Sequence, residues 1–126
     1  VLMAHVDGHD EDYVLSRLAI GDQHITVPKI EAHVGGPVRL RVRARDVALA
    51  TSPPQATSFR NIIAGTVSEL VPEAGTYAEV RVDVGGQWIR ARVTRQAADE
   101  MRLAVGKSVY CLIKSVAVSR SHVRTG

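Results

Sequence analysis

The sequence predicts a mainly-β chain that folds as two small antiparallel barrels in tandem, with a short helix in the second. Three observations favour this fold class. Short runs of alternating apolar and polar residues occur along the whole chain, separated by glycine and proline turns. The order hairpin, linker, glycine turn, strand and short strand occurs twice. One longer segment, residues 95–103, has apolar residues at helical spacing.

The first half predicts a hairpin followed by an arginine-rich strand. Residues 13–20 are a predicted strand closed by the turn pair Gly21-Asp22, and residues 24–27 pair back until Pro28 ends the ladder. Residues 29–34 predict a short helical turn before a glycine pair. Apolar side chains then alternate with four arginines, and residues 46–50 continue as another strand. These arginines share one strand face: Arg39, Arg41, Arg43 and Arg45.

The second half alternates more strictly. Two strands, residues 77–84 and 87–93, flank Gly85-Gly86, a pair that suits a tight hairpin with positive φ. Thr94 is a suitable N-cap for a helix over residues 95–103, which Gly106 would end as a C-cap residue. Further strands are predicted over residues 61–71, with a bulge or bend at Gly65, and over 108–113 and 115–119.

Residues 3–12 are rich in His and Asp and have two interpretations. His and carboxylate side chains both ligate divalent ions, so His5, Asp7, His9 and Asp10 are candidate metal ligands. They lack a specific ligand spacing, however, which favours the alternative of a solvated strand end and loop.

The composition narrows the class of protein. Hydrophobic residues make up 45% of the 126 residues, enough for a buried core, and no apolar run reaches the length of a membrane helix. The net charge of +3 is compatible with anion binding. Cys111, the single cysteine, excludes a disulfide within one chain and is predicted to be buried, in a reducing cytoplasm. The start has no signal peptide and no initiator Met, which suggests a piece of a longer protein.

An internal repeat defines the expected organisation. LAIGDQHITV (residues 18–27) resembles VDVGGQWIRA (82–91), and HVGGPVRLRVRA (33–44) matches AVGKSVYCLIKS (104–115), both without a gap. The first copy lacks the helix, so it is degenerate. We therefore expect two OB-like Greek-key barrels. Their predicted bounds are residues 1–51 and 58–120, with a linker over 52–57 and a frayed basic tail over 121–126.

Three blocks of the second half carry a resemblance to a known family. TSFRNIIAGTV (57–67), GGQWIRARVTRQAAD (85–99) and LAVGKSVYCLIKS (103–115) resemble the Mop, or TOBE, domain of molybdate-binding proteins. RLAIGDQ (17–23) and RARDVALA (43–50) resemble the C-terminal region of ATP-binding subunits of molybdate ABC importers. The resemblance covers nearly the whole chain.

The resemblance implies a regulatory domain that binds molybdate or tungstate at subunit interfaces. A tetrahedral dianion offers only acceptors, so it requires converging donors and one or two cations. The residues that match the family's motifs are Ser58, Arg60, Asn61, Thr94, Arg95, Gln96, Lys114 and Ser115. Arg43, which aligns with Lys114 in the repeat, and Arg45 are candidates in the first copy.

The sequence departs from the family pattern at two positions. Phe59 stands where the family has a small residue, and Ser115 comes one residue early, which reverses its strand face. No Walker motif or catalytic arrangement is visible. The chain is therefore expected to be non-catalytic and to need no cofactor, with ATP hydrolysis belonging to the rest of an ABC-type ATPase.

The resemblance also implies partners and a location. These are a second copy of the chain in a homodimer, the ATPase domain of the same polypeptide and the membrane permease, on the cytoplasmic side of the inner membrane. One alternative is a structural dimerisation module without a ligand. Another is an OB-type nucleic-acid-binding domain, which the arginine stripe favours but the aromatic content of 4% disfavours, so nucleic acid is not an expected partner.

Overall fold

The computed structural model describes residues 1–120, and in this part the chain forms ten strands, one 3-10 turn and one short helix. The tail predicted over residues 121–126 lies outside the described residues. The first-half elements are β1 (Leu2–Asp10), β2 (Leu15–Ile20), β3 (Gln23–Pro28), β4 (Pro37–Arg41), the 3-10 turn (Ala44–Asp46) and β5 (Val47–Ala50). The second-half elements are β6 (Asn61–Pro72), β7 (Tyr77–Val84), β8 (Gln87–Thr94), α1 (Arg95–Glu100), β9 (Ser108–Ile113) and β10 (Ala117–Arg120).

The strands form two antiparallel five-stranded sheets, which confirms the mainly-β fold class. One sheet has the order β10-β4-β1-β2-β3, and the other has the order β5-β9-β6-β7-β8. Each half therefore gives its last strand to the other half's sheet. In the second sheet Leu49 of β5 lies opposite Cys111 of β9, and in the first Val118 of β10 lies opposite Leu40 of β4. The subdomain bounds at residues 51 and 58 stay a prediction, and each sheet contains strands from both sides of these bounds.

The backbone hydrogen bonds reproduce the sequence repeat. Both long strands carry a register shift at the same place, between Val6 and Gly8 in β1 and between Val67 and Glu69 in β6. The glycine turn of each half makes the same hydrogen bond to the long strand of that half. The Gly35 N–H donates to the Val6 carbonyl at 2.7 Å, and the Gly106 N–H donates to the Val67 carbonyl at 2.8 Å. The two halves are thus structural copies as well as sequence copies.

The inward faces of both sheets build one core. Val80 and Val82 of β7 and Ile63 of β6 are fully buried, and so are Leu18 and Leu40 in the first sheet. Burying each such side chain contributes about 1.5–3 kcal/mol. Gly65 lies at a close approach in this core, because a Cβ there would be 2.5 Å from the Val82 side chain. The close approach of β7 therefore explains this glycine, while the register shift of β6 lies farther along the strand, between Val67 and Glu69.

Two glutamines at equivalent repeat positions join the sheets. The Gln23 side chain donates to the Ala64 carbonyl and accepts from the Ala64 N–H, both at 2.8 Å. The Gln87 side chain donates to the Met3 carbonyl at 3.0 Å and accepts from the Met3 N–H at 2.7 Å. Met3 of β1 and Ala64 of β6 lie beyond the residues that pair with β2 and β7, so each amide supplies the hydrogen bonds that the neighbouring strand does not.

Some secondary-structure elements of the first half differ from those that the sequence predicted. Residues 3–12, interpreted as a strand end and loop, mostly belong to the nine-residue strand β1, whose Leu2, Ala4 and Val6 are buried. No helical turn forms over residues 29–34. Strand β4 ends at Arg41, so the arginine stripe stops there and Arg45 lies in the 3-10 turn. The 3-10 turn leads the chain from β4 in one sheet to β5, which begins at Val47, in the other sheet.

Helix α1 is also shorter than predicted. It ends at Glu100, and Arg102 adopts the left-handed conformation with φ 55°. The Leu103 N–H donates to the Ala98 carbonyl at 3.0 Å and the Arg102 N–H to the Asp99 carbonyl at 3.1 Å, which is a Schellman cap. Gly106, predicted as the C-cap, instead occupies the following turn with φ 95°. No helix within the described residues is long and apolar enough to cross a bilayer.

A buried polar network takes the place of the helix in the first half. Ser16 is fully buried, and its hydroxyl accepts from the Ile30 N–H at 3.0 Å and lies 2.8 Å from His9 Nδ1. His9 Nε2 lies 2.8 Å from the Ala32 carbonyl. Because a carbonyl only accepts, Nε2 donates to it, and in the neutral ring Nδ1 accepts from Ser16. These bonds hold the loop after β3 against β1 and β2.

We expect Ser16→Ala to lower the free energy of unfolding by about 1–3 kcal/mol, because it leaves the Ile30 N–H and a His9 nitrogen without a partner. Urea unfolding measures this. Ser119→Ala, on an exposed position of β10, is the matched control and should change nothing. Equal losses in both variants would show that the network does not hold the loop.

Burial raises the pKa of the Cys111 thiol from 9.0 to about 12. Between these values the unfolded thiol ionises while the folded one stays protonated, so its stabilising effect is complete below pH 9 and is lost as the pH rises. We expect the free energy of unfolding of the wild type to fall, relative to Cys111→Ala, by about 1.4 kcal/mol per pH unit above pH 9. Denaturant unfolding from pH 8 to about 11 checks this. Parallel profiles of the two proteins would contradict it.

Candidate functional site

A depression of about 440 Å³ lies where β5, β8, β9 and α1 meet. Its wall is mostly apolar and its rim carries charged side chains. The lining residues are Arg45, Asp46, Val47, Ala48, Leu49, Phe59, Arg92, Val93, Thr94, Ala97, Met101 and Lys114.

The exchanged strand β5 builds this depression from both halves of the chain. The Lys114 N–H, just after β9, donates to the Asp46 carbonyl at 2.7 Å. This bond fixes the 3-10 turn beside the end of β9, so that Arg45 and Lys114 line the same space. Arg45 was a candidate in the first copy, and the structure places it beside Lys114 in the lining of this depression.

The electrostatics of the rim favour an anion. Three cationic side chains, Arg45, Arg92 and Lys114, line the depression with a single carboxylate, Asp46. Arg92 already has partners, since it lies 3.7 Å from a Glu73 oxygen and 4.0 Å from the centre of the Tyr77 ring. In the described part of the chain, neither Arg45 nor Lys114 forms a salt bridge. Two cations are thus available beside an apolar wall, where charge interactions are screened less than in water.

Two further side chains shape the rim. The Lys114 ammonium lies 5.7 Å from the centre of the Phe59 ring. Thr94 caps α1, as predicted, because its hydroxyl oxygen accepts from the Ala97 N–H at 3.0 Å. The hydroxyl hydrogen of Thr94 can still be donated, so this side chain can contribute one bond to a ligand.

The other predicted residues of α1 point to different partners. The Arg95 N–H donates to the Thr76 carbonyl at 2.8 Å and its guanidinium to the Gly75 carbonyl at 3.2 Å. Gln96 donates to Glu100 at 3.0 Å. With only six residues in α1, and with the Arg95 and Ala97 amides occupied, the helix N-terminus offers little to an anion.

The other predicted residues near the start of β6 and the end of β9 lie outside the lining. The Arg60 guanidinium donates to the Thr57 carbonyl. The Asn61 side chain binds the backbone of Thr26 twice. The Thr26 N–H donates to the Asn61 side-chain oxygen at 2.9 Å, and the Asn61 side-chain NH₂ donates to the Thr26 carbonyl at 2.8 Å. Ser58, Ser115 and the first-copy candidate Arg43 are exposed and do not line the depression. A role for these residues in oxyanion binding stays a prediction.

Several lining residues carried no signal in the sequence. Arg92 lay in the predicted strand over residues 87–93, but nothing linked it to a site, and Ala97 and Met101 were predicted only as part of the helix over residues 95–103. The residues of β5 enter through strand exchange, which pairs positions far apart along the chain, such as Val47 with Ile113. Local patterns do not encode such a pairing.

The His- and Asp-rich strand β1 has structural roles. Asp7 lies 3.4 Å from both Arg17 and His24, and His9 belongs to the network around Ser16. Among residues 1–120 no group of three His, Cys, Asp or Glu side chains is arranged to hold a metal ion.

Comparison with known families agrees with this architecture. The TOBE domain family model matches residues 57–119, half of the chain. The chain belongs to the TOBE family. Its matched part contains β6 to β9, α1 and most of β10, and therefore Phe59, Thr94 and Lys114 of the depression.

Curated relatives of this TOBE chain are importer subunits. The molybdenum import ATP-binding protein ModC of Yersinia pseudotuberculosis serotype I (strain IP32953) is 40% identical over 122 residues, which cover 97% of the chain and 34% of the relative. ModC of Mesorhizobium japonicum (strain LMG 29417 / CECT 9101 / MAFF 303099) is 36% identical over 126 residues, covering 100% and 34%. The chain thus spans about a third of the length of these relatives. The expected resemblance to molybdate-importer subunits is confirmed.

A solved structure shares the fold of the whole TOBE chain. The cytoplasmic molybdate-binding protein ModG, crystallised with molybdate bound, superimposes with a TM-score of 0.80 at 26% identity. The match covers 94% of both chains. It therefore includes both sheets, and the two-barrel, OB-like prediction is confirmed.

We expect Asn61→Ala to destabilise the TOBE chain by about 1–3 kcal/mol, because both backbone groups of Thr26 lose their partner. Thermal and urea unfolding measure the change. Ser52→Ala, at an exposed linker position, is the control. An Asn61→Ala protein as stable as the wild type would show that the contact between β3 and β6 is dispensable.

Proposed function

We propose that this chain is the oxyanion-binding regulatory domain of the ATP-binding subunit of a molybdate importer. One observation carries the proposal. Arg45 and Lys114, from different halves of the chain, line one depression without a carboxylate partner among the described residues. The names of the relatives, molybdenum import ATP-binding proteins and a molybdate-binding protein, support molybdate or tungstate as the ligand.

The chemistry of the rim suits a tetrahedral dianion. Arg45 and Lys114 supply the charge, the Thr94 hydroxyl supplies a neutral donor, and the apolar wall reduces screening. A dianion takes more donors than these three. Ser58 is exposed and lies outside the lining, so its hydroxyl is available to complete a site from a second copy in a homodimer.

The domain acts by binding rather than by catalysis. The oxyanion is a ligand that reports the cytoplasmic molybdate level, and the domain uses no cofactor. ATP hydrolysis belongs to the ATPase domain of the same polypeptide, which works with a membrane permease at the inner membrane. Binding regulates transport only if the two states of the importer differ in affinity for the oxyanion.

A structural dimerisation module without a ligand is the second candidate. It is favoured by the dispersion of the predicted donors, since Arg60 and Asn61 are engaged with backbone groups of the same chain. The two candidates differ in one measurement, the heat of oxyanion binding.

We expect calorimetric titration of the chain to show binding of molybdate and tungstate and little binding of sulfate. Lys114→Ala should weaken molybdate binding about ten- to a hundredfold, because a hydrogen bond to a charged group is worth about 1.5–3 kcal/mol. The variant should stay folded, since Lys114 is exposed and its backbone bond to Asp46 remains.

Arg39→Ala is the matched control for this titration. It removes the same charge from an exposed position of β4 outside the depression, so molybdate affinity should be unchanged. Equal weakening in both variants would indicate a general charge effect. If the wild-type chain bound none of the three oxyanions, the proposed function would be rejected in favour of the structural module.

A further inference from the structure

We propose that Phe59 is a positioning and specificity-determining residue for the oxyanion site. Its ring holds the Lys114 ammonium at the rim of the depression and keeps water from one side of it. This inference rests on the proposed function, and it concerns a residue that has no donor of its own. The observations behind it are the contact with Lys114, the fixed backbone of Phe59 and the apolar wall.

Lys114 is held both at its backbone and at the end of its side chain. Its backbone N–H donates to the Asp46 carbonyl at 2.7 Å, and its ammonium lies 5.7 Å from the centre of the Phe59 ring. The ring face carries negative electrostatic potential and attracts a cation at this range. No other cation–π contact in the described residues involves a side chain that also lacks a salt bridge.

The position of the ring is itself determined by the chain. The Phe59 N–H donates to the Thr57 hydroxyl at 3.1 Å, which bends the chain just before β6. Phe59 is half-buried and lines the depression, whereas its neighbours Ser58 and Arg60 are exposed. The bend thus places the Phe59 side chain at the depression.

Holding the lysine in advance strengthens anion binding. A free lysine loses rotamer entropy when a ligand orders it, and this loss subtracts from the affinity. The ammonium has three N–H donors, so contact with the ring on one side leaves donors for an anion on the other. The ring therefore lowers the entropic cost without competing for the ligand.

The ring also affects which oxyanion binds. Of two dianions with equal charge, the smaller is hydrated more strongly and loses more on entering an apolar site. Sulfate is smaller than molybdate. A dry wall of Phe59, Val47 and Met101 therefore penalises sulfate more, and opening that wall to water reduces the difference.

Three substitutions separate the two roles of the ring. Phe59→Ala removes both the cation–π contact and the apolar wall. Phe59→Leu keeps an apolar side chain of similar size but removes the π face. Phe59→Trp keeps both. Calorimetric titration of each variant with molybdate and with sulfate gives two affinities and their ratio.

We expect Phe59→Ala to weaken molybdate binding about two- to fivefold, the effect of one partly exposed cation–π contact, and to lower the molybdate-to-sulfate ratio. Phe59→Leu should lose a similar affinity but keep the ratio, and Phe59→Trp should retain both. In a Lys114→Ala background the affinity loss caused by Phe59→Ala should disappear, because the ring then has no ammonium to hold.

A measurement without ligand tests the contact itself. The ε-protons of Lys114 should be shifted upfield in the NMR spectrum by the ring current of Phe59. This shift should be absent in Phe59→Leu, which keeps an apolar side chain at this half-buried position. An unshifted Lys114 in the wild type would overturn the inference.

The outcomes distinguish this inference from the proposed function. If the wild type binds molybdate and Phe59→Ala binds it equally well or better, the role of Phe59 is wrong and the oxyanion function stands. If Phe59→Ala weakens binding equally with and without Lys114, the ring acts on the fold and the inference is wrong. If the wild type binds no oxyanion, both are rejected.

Discussion

The structure depends on the exchange of the last strand between the two halves. Strand β5 covers the edge of β9, and β10 covers the edge of β4. Without them, two rows of backbone N–H and C=O groups would lose their partners. The same exchange brings Arg45 to Lys114 through the bond from the Lys114 N–H to the Asp46 carbonyl. Fold and site therefore rest on one topological feature, and neither half contains the whole depression.

The sequence predicted local elements well where alternation and turn chemistry agree. The hairpin of β7 and β8 followed from strict alternation around Gly85-Gly86, whose positive φ values of 59° and 89° allow the tight turn. Strand β1 was missed because its outward positions carry His and Asp, which resemble a solvated loop, and its buried Ala4 is small. The end of α1 was misplaced because an arginine, Arg102, took the left-handed position in which glycine is usual.

The sequence indicated only some residues of the candidate site. Residues within the motifs of the second half were indicated, whereas those that reach the depression by pairing of distant strands were not. Thr94 and Lys114 were found from local motifs of the second half. The repeat aligned Arg43 with Lys114 but gave no neighbours in space, so Arg43 and Arg45 were both candidates in the first copy. Only the pairing of β5 with β9 shows that Arg45 belongs with Lys114. The stripe of four arginines had suggested nucleic acid, but the aromatic rings that bases would need are partly occupied, since Arg81 lies over Trp88 and Arg92 over Tyr77.

The divergence of the two halves explains why the depression forms beside the second one. There, α1 supplies Ala97 and Met101 as part of an apolar wall. At the equivalent place in the first half the chain forms a loop, which His9 and Ser16 hold by hydrogen bonds. A hydrogen-bonded loop satisfies its own polar groups but provides no apolar helix face. Because a cation next to an apolar wall interacts more strongly with an anion than one in open solvent, Arg43 in the first half lacks the surroundings that Lys114 has in the second.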